Sequence, residues 1–405
     1  MRRAAVVHCA IAALAGWIAR ADDLLDRVDE ALTFSTFQDQ VRLRISGTLE
    51  LEYYHIDEPP FGLVNSTANN LFNPRLTLFA DAQIGPYVYA FAQARIDRGF
   101  DPSDQGARGR MDEYAVRFTP WEDGRLNVQI GKSAPVVGNW MARHLAWDNP
   151  FVTAPLPYEH VTNISDVEPP QYTAAFSYTH GAATEYGYNP VIWGPSYTTG
   201  LSLSGRVGEF EYAAEVKNAA LSSRPESWDA TDVGFEHPTV STRLGWRPSM
   251  AWNLGVSASR GAYFRPEAEP LLPHGRDVGD YEQLLLGQDI SFATGHWQLW
   301  AEFYEARFEV PRVGDADTFV YYIEAKYKFT NAVFAAVRWN QQFFDEVSNG
   351  YGGEAKWGND LWRSDVAIGY RFTENTQLKT QYSFENEKGP RGESHAIAVQ
   401  LTIRF

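Results

Sequence analysis

From residue 41 to the end, apolar and polar residues alternate with a period of two, in short runs separated by turn residues. The last run is the clearest. Ile397, Val399, Leu401, Ile403 and Phe405 fall on one face, and Ala398, Gln400, Thr402 and Arg404 on the other. Successive strand side chains point to opposite faces, so each run is a ribbon with one apolar and one wet face. The pattern predicts strands at 41–54, 75–84, 87–97, 112–119, 125–133, 171–180, 199–207, 209–219, 238–247, 251–260, 281–293, 296–310, 319–329, 333–344, 362–372, 376–386 and 395–405. Short connections such as Gly85-Pro86, Gly208, Thr294-Gly295 and Thr330-Asn331 alternate with long ones. Apolar-out, polar-in strands with short turns at one rim and long loops at the other describe a transmembrane antiparallel β-barrel. Such a barrel keeps both termini on one side, which demands an even count. A weak strand at 184–193 restores the rhythm and gives about eighteen strands, with sixteen as the fallback because Pro190 cannot donate to a central ladder.

The N-terminus carries a different signal. Met1-Arg2-Arg3 is a positive start, Ala4 to Ile18 is apolar, and Ala19-Arg20-Ala21 offers an A-x-A cleavage site, so 1–21 reads as a secretory signal peptide. Cys9 lies inside it, which leaves the mature chain without thiol or disulfide chemistry. Residues 22–40 read as a lead-in, with Asp22 to Leu32 a short amphipathic helix, and 41–405 as the barrel.

The closing strand resembles the C-terminal strand of Gram-negative outer-membrane barrels, which ends on Phe after alternating hydrophobics. The third outer loop, 134–170, is the longest and is poor in exposed-loop character, with Pro150-Phe151 and Ala154-Pro155-Leu156-Pro157-Tyr158. It resembles the third loop of porins, which folds into the lumen and narrows it, and Val128-Gln129-Ile130-Gly131-Lys132 is similar to the porin strand that leads into that loop. Phosphate-selective, sugar-specific and alginate-export barrels all stay open. The resemblance implies an outer-membrane location, lipid around the barrel, and passive diffusion of small hydrophilic solutes, among them anions or sugars. It implies no cofactor, and monomer and homotrimer both stay open.

Composition agrees with this class. Aromatic residues reach 14% and hydrophobic residues 44%, as lipid-facing strands with aromatic rims require. The formal charge of −16 becomes −19 once Arg2, Arg3 and Arg20 leave with the signal, which argues against nucleic acid as a partner.

Strand parity then assigns the inner wall. Arg42, Arg44, Arg75, Arg95, Arg338, Arg363 and Arg371 fall on the wet face, as do Arg117, Lys379 and Arg404. They form either a continuous basic stripe favouring anionic or polyhydroxylated solutes, or a ladder paired with Asp81, Asp97, Glu113, Glu324 and Asp365. Within the third loop, Asn139 can cap a helix from Trp140 to Trp147 that sets Trp140, Arg143, His144 and Trp147 on one face. These four and the seven arginines are the candidate constriction. Acids gather in the outer loops, and Gly314-Asp315-Ala316-Asp317 and Asp229 to Asp232 lack the ligand pattern of a calcium loop. No G-x-S-x-G or H-E-x-x-H occurs, so no catalytic residue or metal site is assigned. A lipase- or protease-type barrel assembled from distant strands, or a conduit housing a partner, are the alternatives.

Overall fold

The computed structural model describes residues 25, 27–28, 30–36, 40–57, 62–64, 69–97, 108–176, 187–224, 234–389 and 392–405. The segment read as a signal peptide lies outside these residues. Sixteen strands form the barrel: β1 (Val41–Ile56), β2 (Asn70–Ile84), β3 (Val88–Asp97), β4 (Arg108–Phe118), β5 (Asn127–Ser133), β6 (Thr198–Val207), β7 (Phe210–Lys217), β8 (Thr239–Ser249), β9 (Trp252–Ala262), β10 (Glu282–Thr294), β11 (Trp297–Val310), β12 (Gly314–Lys328), β13 (Val333–Phe344), β14 (Leu361–Arg371), β15 (Thr376–Glu387) and β16 (Gly392–Arg404). Each pairs antiparallel with its neighbour in sequence, and β16 pairs with β1 from Ala396 opposite Ile56 to Arg404 opposite Thr48. Closure removes every free edge. Phe405 completes it by donating its N–H to the Gly47 carbonyl at 3.0 Å and accepting the Gly47 N–H at 2.9 Å. A lead-in strand, Thr33–Thr36, pairs with the start of β1. Before it the described residues are helical, with Leu32 N–H donating to the Val28 carbonyl at 3.0 Å.

The count is sixteen, not eighteen. Of the segment expected as strand 171–180, Thr173–Phe176 is a single helical turn and the remainder lies outside the described residues. Of 184–193, the described part makes one isolated bridge, Asn189 with Ile164. Its consecutive residues Val191, Ile192 and Trp193 are all buried, a pattern no two-faced strand produces. Both segments belong to a third outer connection running from 134 to 197.

Burial is inverted relative to a water-soluble barrel. On β12, Tyr322, Glu324 and Lys326 are buried while Ile323 is 49% exposed; on β14, Arg363 and Asp365 are buried while Ile368 is 60% exposed. Val256, Val337, Val366 and Leu244 continue the exposed apolar surface around the ring. Such a belt is tolerable in lipid and not in water. Exposed aromatics (Phe118, Phe210, Trp246, Trp252, Trp297 and Phe329) rim the short-turn end, the girdle expected where hydrocarbon meets head groups. Two of those turns rest on glycine, Gly208 at φ +63° and Gly295 at φ +53°. Among the described residues no helix is long and apolar enough to cross a membrane.

Candidate pore constriction

The inner wall is polar because parity puts one face of every strand inside, and there the third outer loop meets it. Lys217 on β7 holds both ends of the loop together: its ammonium donates to the Ser133 carbonyl at 3.0 Å, the Ser133 Oγ at 2.8 Å and the Thr198 carbonyl at 3.1 Å. Glu302 on β11 accepts the backbone N–H groups of Asn139 at 2.5 Å and Trp140 at 2.8 Å, and the Tyr158 hydroxyl at 2.6 Å. Lys379 on β15 donates to the carbonyls of Ala146, Asn149 and Phe151 at 2.7, 2.9 and 2.8 Å. Gln381 Oε1 accepts from Val152 N–H at 2.6 Å and Thr153 N–H at 3.1 Å. A buried irregular backbone must find partners for its N–H and C=O groups, and the wall side chains supply them.

The expected helix from Trp140 to Trp147 is reduced to one 3-10 turn, Met141–Arg143, without a side-chain cap. Asn139 does not cap it; its amide reaches Asp289 at 3.3 Å instead. The turn is set by anchors on the wall, which outweigh local helical propensity. Trp140 is buried and packs on Tyr158 with ring centroids 4.5 Å apart. Arg143 donates to Glu324 at 2.7 Å and to the Tyr322 hydroxyl at 3.1 Å, with its guanidinium 4.3 Å from the Trp300 ring centroid. Burial works against its charge, but Glu324, Tyr322 and Glu302 together outweigh it and hold Arg143 above the ordinary arginine value. Trp147 stands apart from those two, half-buried beneath Arg404 at 4.1 Å and Arg371 at 5.0 Å.

His144 sits at the centre of a short relay. Its Nδ1 faces the Met141 carbonyl at 2.5 Å and must carry the proton, since a carbonyl only accepts. Nε2 therefore accepts from the Tyr197 hydroxyl at 2.8 Å, and Tyr197 in turn accepts from the Gln93 amide of β3 at 3.2 Å. Burial pushes the imidazole down to about 4, so it is neutral near pH 7.

Four of the seven proposed inner arginines, Arg75, Arg95, Arg338 and Arg363, are paired with carboxylates, which breaks up the continuous basic stripe. Arg75 contacts Glu50 at 3.1 Å, Glu52 at 3.3 Å and Asp97 at 3.1 Å; Arg95 contacts Asp112 at 3.1 Å. Arg338 lies 2.8 Å from Asp365, and Arg363 lies 3.3 Å from both Asp365 and Glu159 while donating to the Ala154 carbonyl at 2.5 Å. Burial lifts the Glu159 carboxyl and the Arg363 guanidinium works the other way. Arg338 and Arg363 are fully enclosed, so neither faces a passing solute. Arg371 bonds Gln377 at 3.0 Å, and Arg42 and Arg44 are exposed at the start of β1. The acidic pair at Asp315 and Asp317 is bridged by Arg307, at 3.3 and 2.7 Å, and the described residues hold no cluster that could bind a metal. Asp229 to Asp232 lie outside the described residues.

Two cavities flank the loop. One, of about 130 Å³, opens among Glu50, Tyr54, Arg75, Arg95, Asp97 and Arg110, toward the long-loop rim. The other, of about 540 Å³, lies among Phe79, Asp81, Phe91, Glu113, Ala213 and Arg243, toward the short-turn rim. His144 and Leu145 line both. Sequence reasoning missed Gln93, Tyr197, Glu302 and Gln381. Parity marks three of these as wall residues, but nothing in a linear pattern says which of them meets a distant loop.

The barrel superposes on an anion-selective porin from Comamonas acidovorans with a TM-score of 0.56 at 10% identity, over 90% of this chain and 100% of that one. The outer-membrane channel DcaP of Acinetobacter baumannii gives 0.55 at 8% identity, over 92% and 99%. The trimer form of OmpT, an outer membrane protein of Vibrio cholerae, gives 0.54 at 9% identity, over 91% and 100%. The chain has the fold of the outer-membrane porins. No protein-family model matches the sequence, and no curated protein does either. At these identities the porin likeness is one of fold.

Proposed function

We propose that this barrel sits in the outer membrane and lets small hydrophilic solutes diffuse through its lumen, narrowed by the third outer loop, with no chemistry of its own. The observation that carries the reading is that His144 and Leu145 line both of two cavities, one toward each rim. A barrel of sixteen strands leaves an aqueous channel unless something fills it, and here the filling is one loop, anchored to wall residues from β7 round to β15. Arg75, Arg95 and Arg110 border the outer cavity with Glu50, Glu52, Asp97 and Asp112 paired against them, so selectivity at the narrowing is weak. Of the loop residues proposed from the sequence, His144 touches the path, Trp140 borders only the outer cavity, and Arg143 serves as an anchor. A homotrimer is the assembly suggested by the trimeric neighbour.

A plugged conduit is the second reading, favoured by the density of the loop packing, in which Tyr158, Trp193, Tyr304 and Trp357 are wholly enclosed. Liposome swelling with neutral sugars of graded size separates the two. Swelling that falls off with solute size supports the narrowed channel, and no swelling with any sugar supports the plug.

A further inference from the structure

The lumen's charges are divided unequally along the barrel axis. In the outer half the cations Arg75, Arg95, Arg110, Arg143, Arg338 and Arg363 each have a carboxylate within ion-pair distance. At the short-turn rim the pattern changes on the side from β12 to β1, whereas across the ring Arg243 and Arg247 still pair with Asp289 and Glu211. Lys326 and Lys328 on β12, Arg371 on β14, Arg404 on β16 and Arg42 on β1 lie on the inward parity of strands that are near neighbours in the closed ring. Among the described residues none of these five has a carboxylate within ion-pair distance. Arg371 donates to the Gln377 amide oxygen at 3.0 Å and Arg404 to the Glu374 carbonyl at 2.9 Å, both neutral acceptors. Lys326 rests on the Phe334 ring, 4.3 Å from its centroid. Three carboxylates lie close by without pairing with them: Glu324, two residues before Lys326, is held by Arg143, and Asp148 and Glu374 are exposed.

Trp147 sits among these cations, with Arg404 at 4.1 Å and Arg371 at 5.0 Å from its ring centroid. The indole holds the two guanidiniums near each other while leaving their donors without an anionic partner. Like charges gathered on one stretch of the inner wall raise the local concentration of anions, and guanidinium forks match carboxylate and phosphate oxygens.

We infer that the patch of inner wall formed by Trp147, Arg371, Arg404 and Lys326 is a binding site for small multivalent anions of the phosphate or polycarboxylate class, reached from the short-turn rim. This rests on the porin reading for access, and it names the solute class that reading leaves open. The site lies below the narrowing at His144, so an anion there occupies the inner side of the path.

The test uses the full-length barrel, folded in detergent, with pyrophosphate as the probe. Isothermal titration calorimetry of the wild type should show saturable binding. Arg371→Gln combined with Arg404→Gln should weaken it at least tenfold, and Lys326→Gln should weaken it by a smaller factor. Retained heat-modifiable migration on gels shows that each variant is folded. In planar bilayers pyrophosphate should reduce the current when added to the short-turn side and not from the loop side. No saturable heat with the wild type, or equal affinity in the folded double variant, overturns the site even if the barrel conducts. Saturable binding by a barrel that never conducts upholds the site and overturns the diffusion reading.

Discussion

Glu302 reaches from β11 to the backbone N–H of Trp140, 2.8 Å away, and the same carboxylate also takes the N–H of Asn139 and the hydroxyl of Tyr158. One buried wall residue thus satisfies three donors of the loop, and charge-assisted bonds of this kind contribute about 1.5–3 kcal/mol each when their partners would otherwise stay unpaired. Glu302→Ala should free the loop while leaving the barrel closed. The check is limited trypsin digestion of the folded protein: cleavage after Arg143, protected in the wild type, should become fast. Unchanged protection would mean that Glu302 is dispensable as an anchor.

His144 makes the loop sensitive to acid. Its folded value of about 4 lies below the ordinary 6.5, so its contribution is complete above roughly pH 6.5 and is lost as pH falls toward 4. Protonation would put an N–H on Nε2, so the Tyr197 hydroxyl could no longer donate there and its hydrogen would lose its partner. Current noise of the open channel should rise over that window in the wild type and stay flat in His144→Gln.

Selectivity follows exposure, not the number of arginines. Arg338→Gln should leave the reversal potential under a salt gradient within error of the wild type, because Arg338 is enclosed between Asp365 and the loop. Arg75→Gln, which removes a cation bordering the outer cavity and leaves Glu50, Glu52 and Asp97 behind, should shift it toward cations. Equal shifts from both would restore the stripe.

Gly131 on β5 is held at φ +137°, and a Cβ there would lie 2.2 Å from the Tyr114 carbonyl oxygen. Gly131→Ala should destabilise the barrel by about 1–3 kcal/mol from backbone strain alone. Denaturant unfolding in lipid vesicles, followed by tryptophan fluorescence, should show the lower midpoint; an unchanged midpoint would contradict the tight approach of β4 and β5.

The barrel was legible because its signal is local. Alternation along β12 separates Ile323 from Glu324 without any knowledge of neighbours, and the terminal Phe405 marks the closing strand. The two extra strands were misread for the same reason: Val191, Ile192 and Trp193 are apolar because they pack inside the loop, and a linear pattern cannot tell a loop core from a membrane face. The basic stripe failed on pairing. Arg338 and Asp365 are 27 positions apart in sequence, and only the register of β13 against β14 brings them opposite one another. The loop anchors Glu302 and Lys379 stand at least 144 and 228 positions from the loop atoms they hold, a separation at which residue type alone carries no signal.

The most direct measurement is single-channel current in a planar bilayer, for the wild type and for Lys379→Met. Lys379 donates to three loop carbonyls, so the variant removes its anchor without touching the barrel ladder. A channel narrowed by a pinned loop is expected to give discrete conductance steps in the wild type and larger, noisier steps in the variant. A wild type that inserts without conducting, or a variant whose steps match the wild type in size and noise, would contradict it.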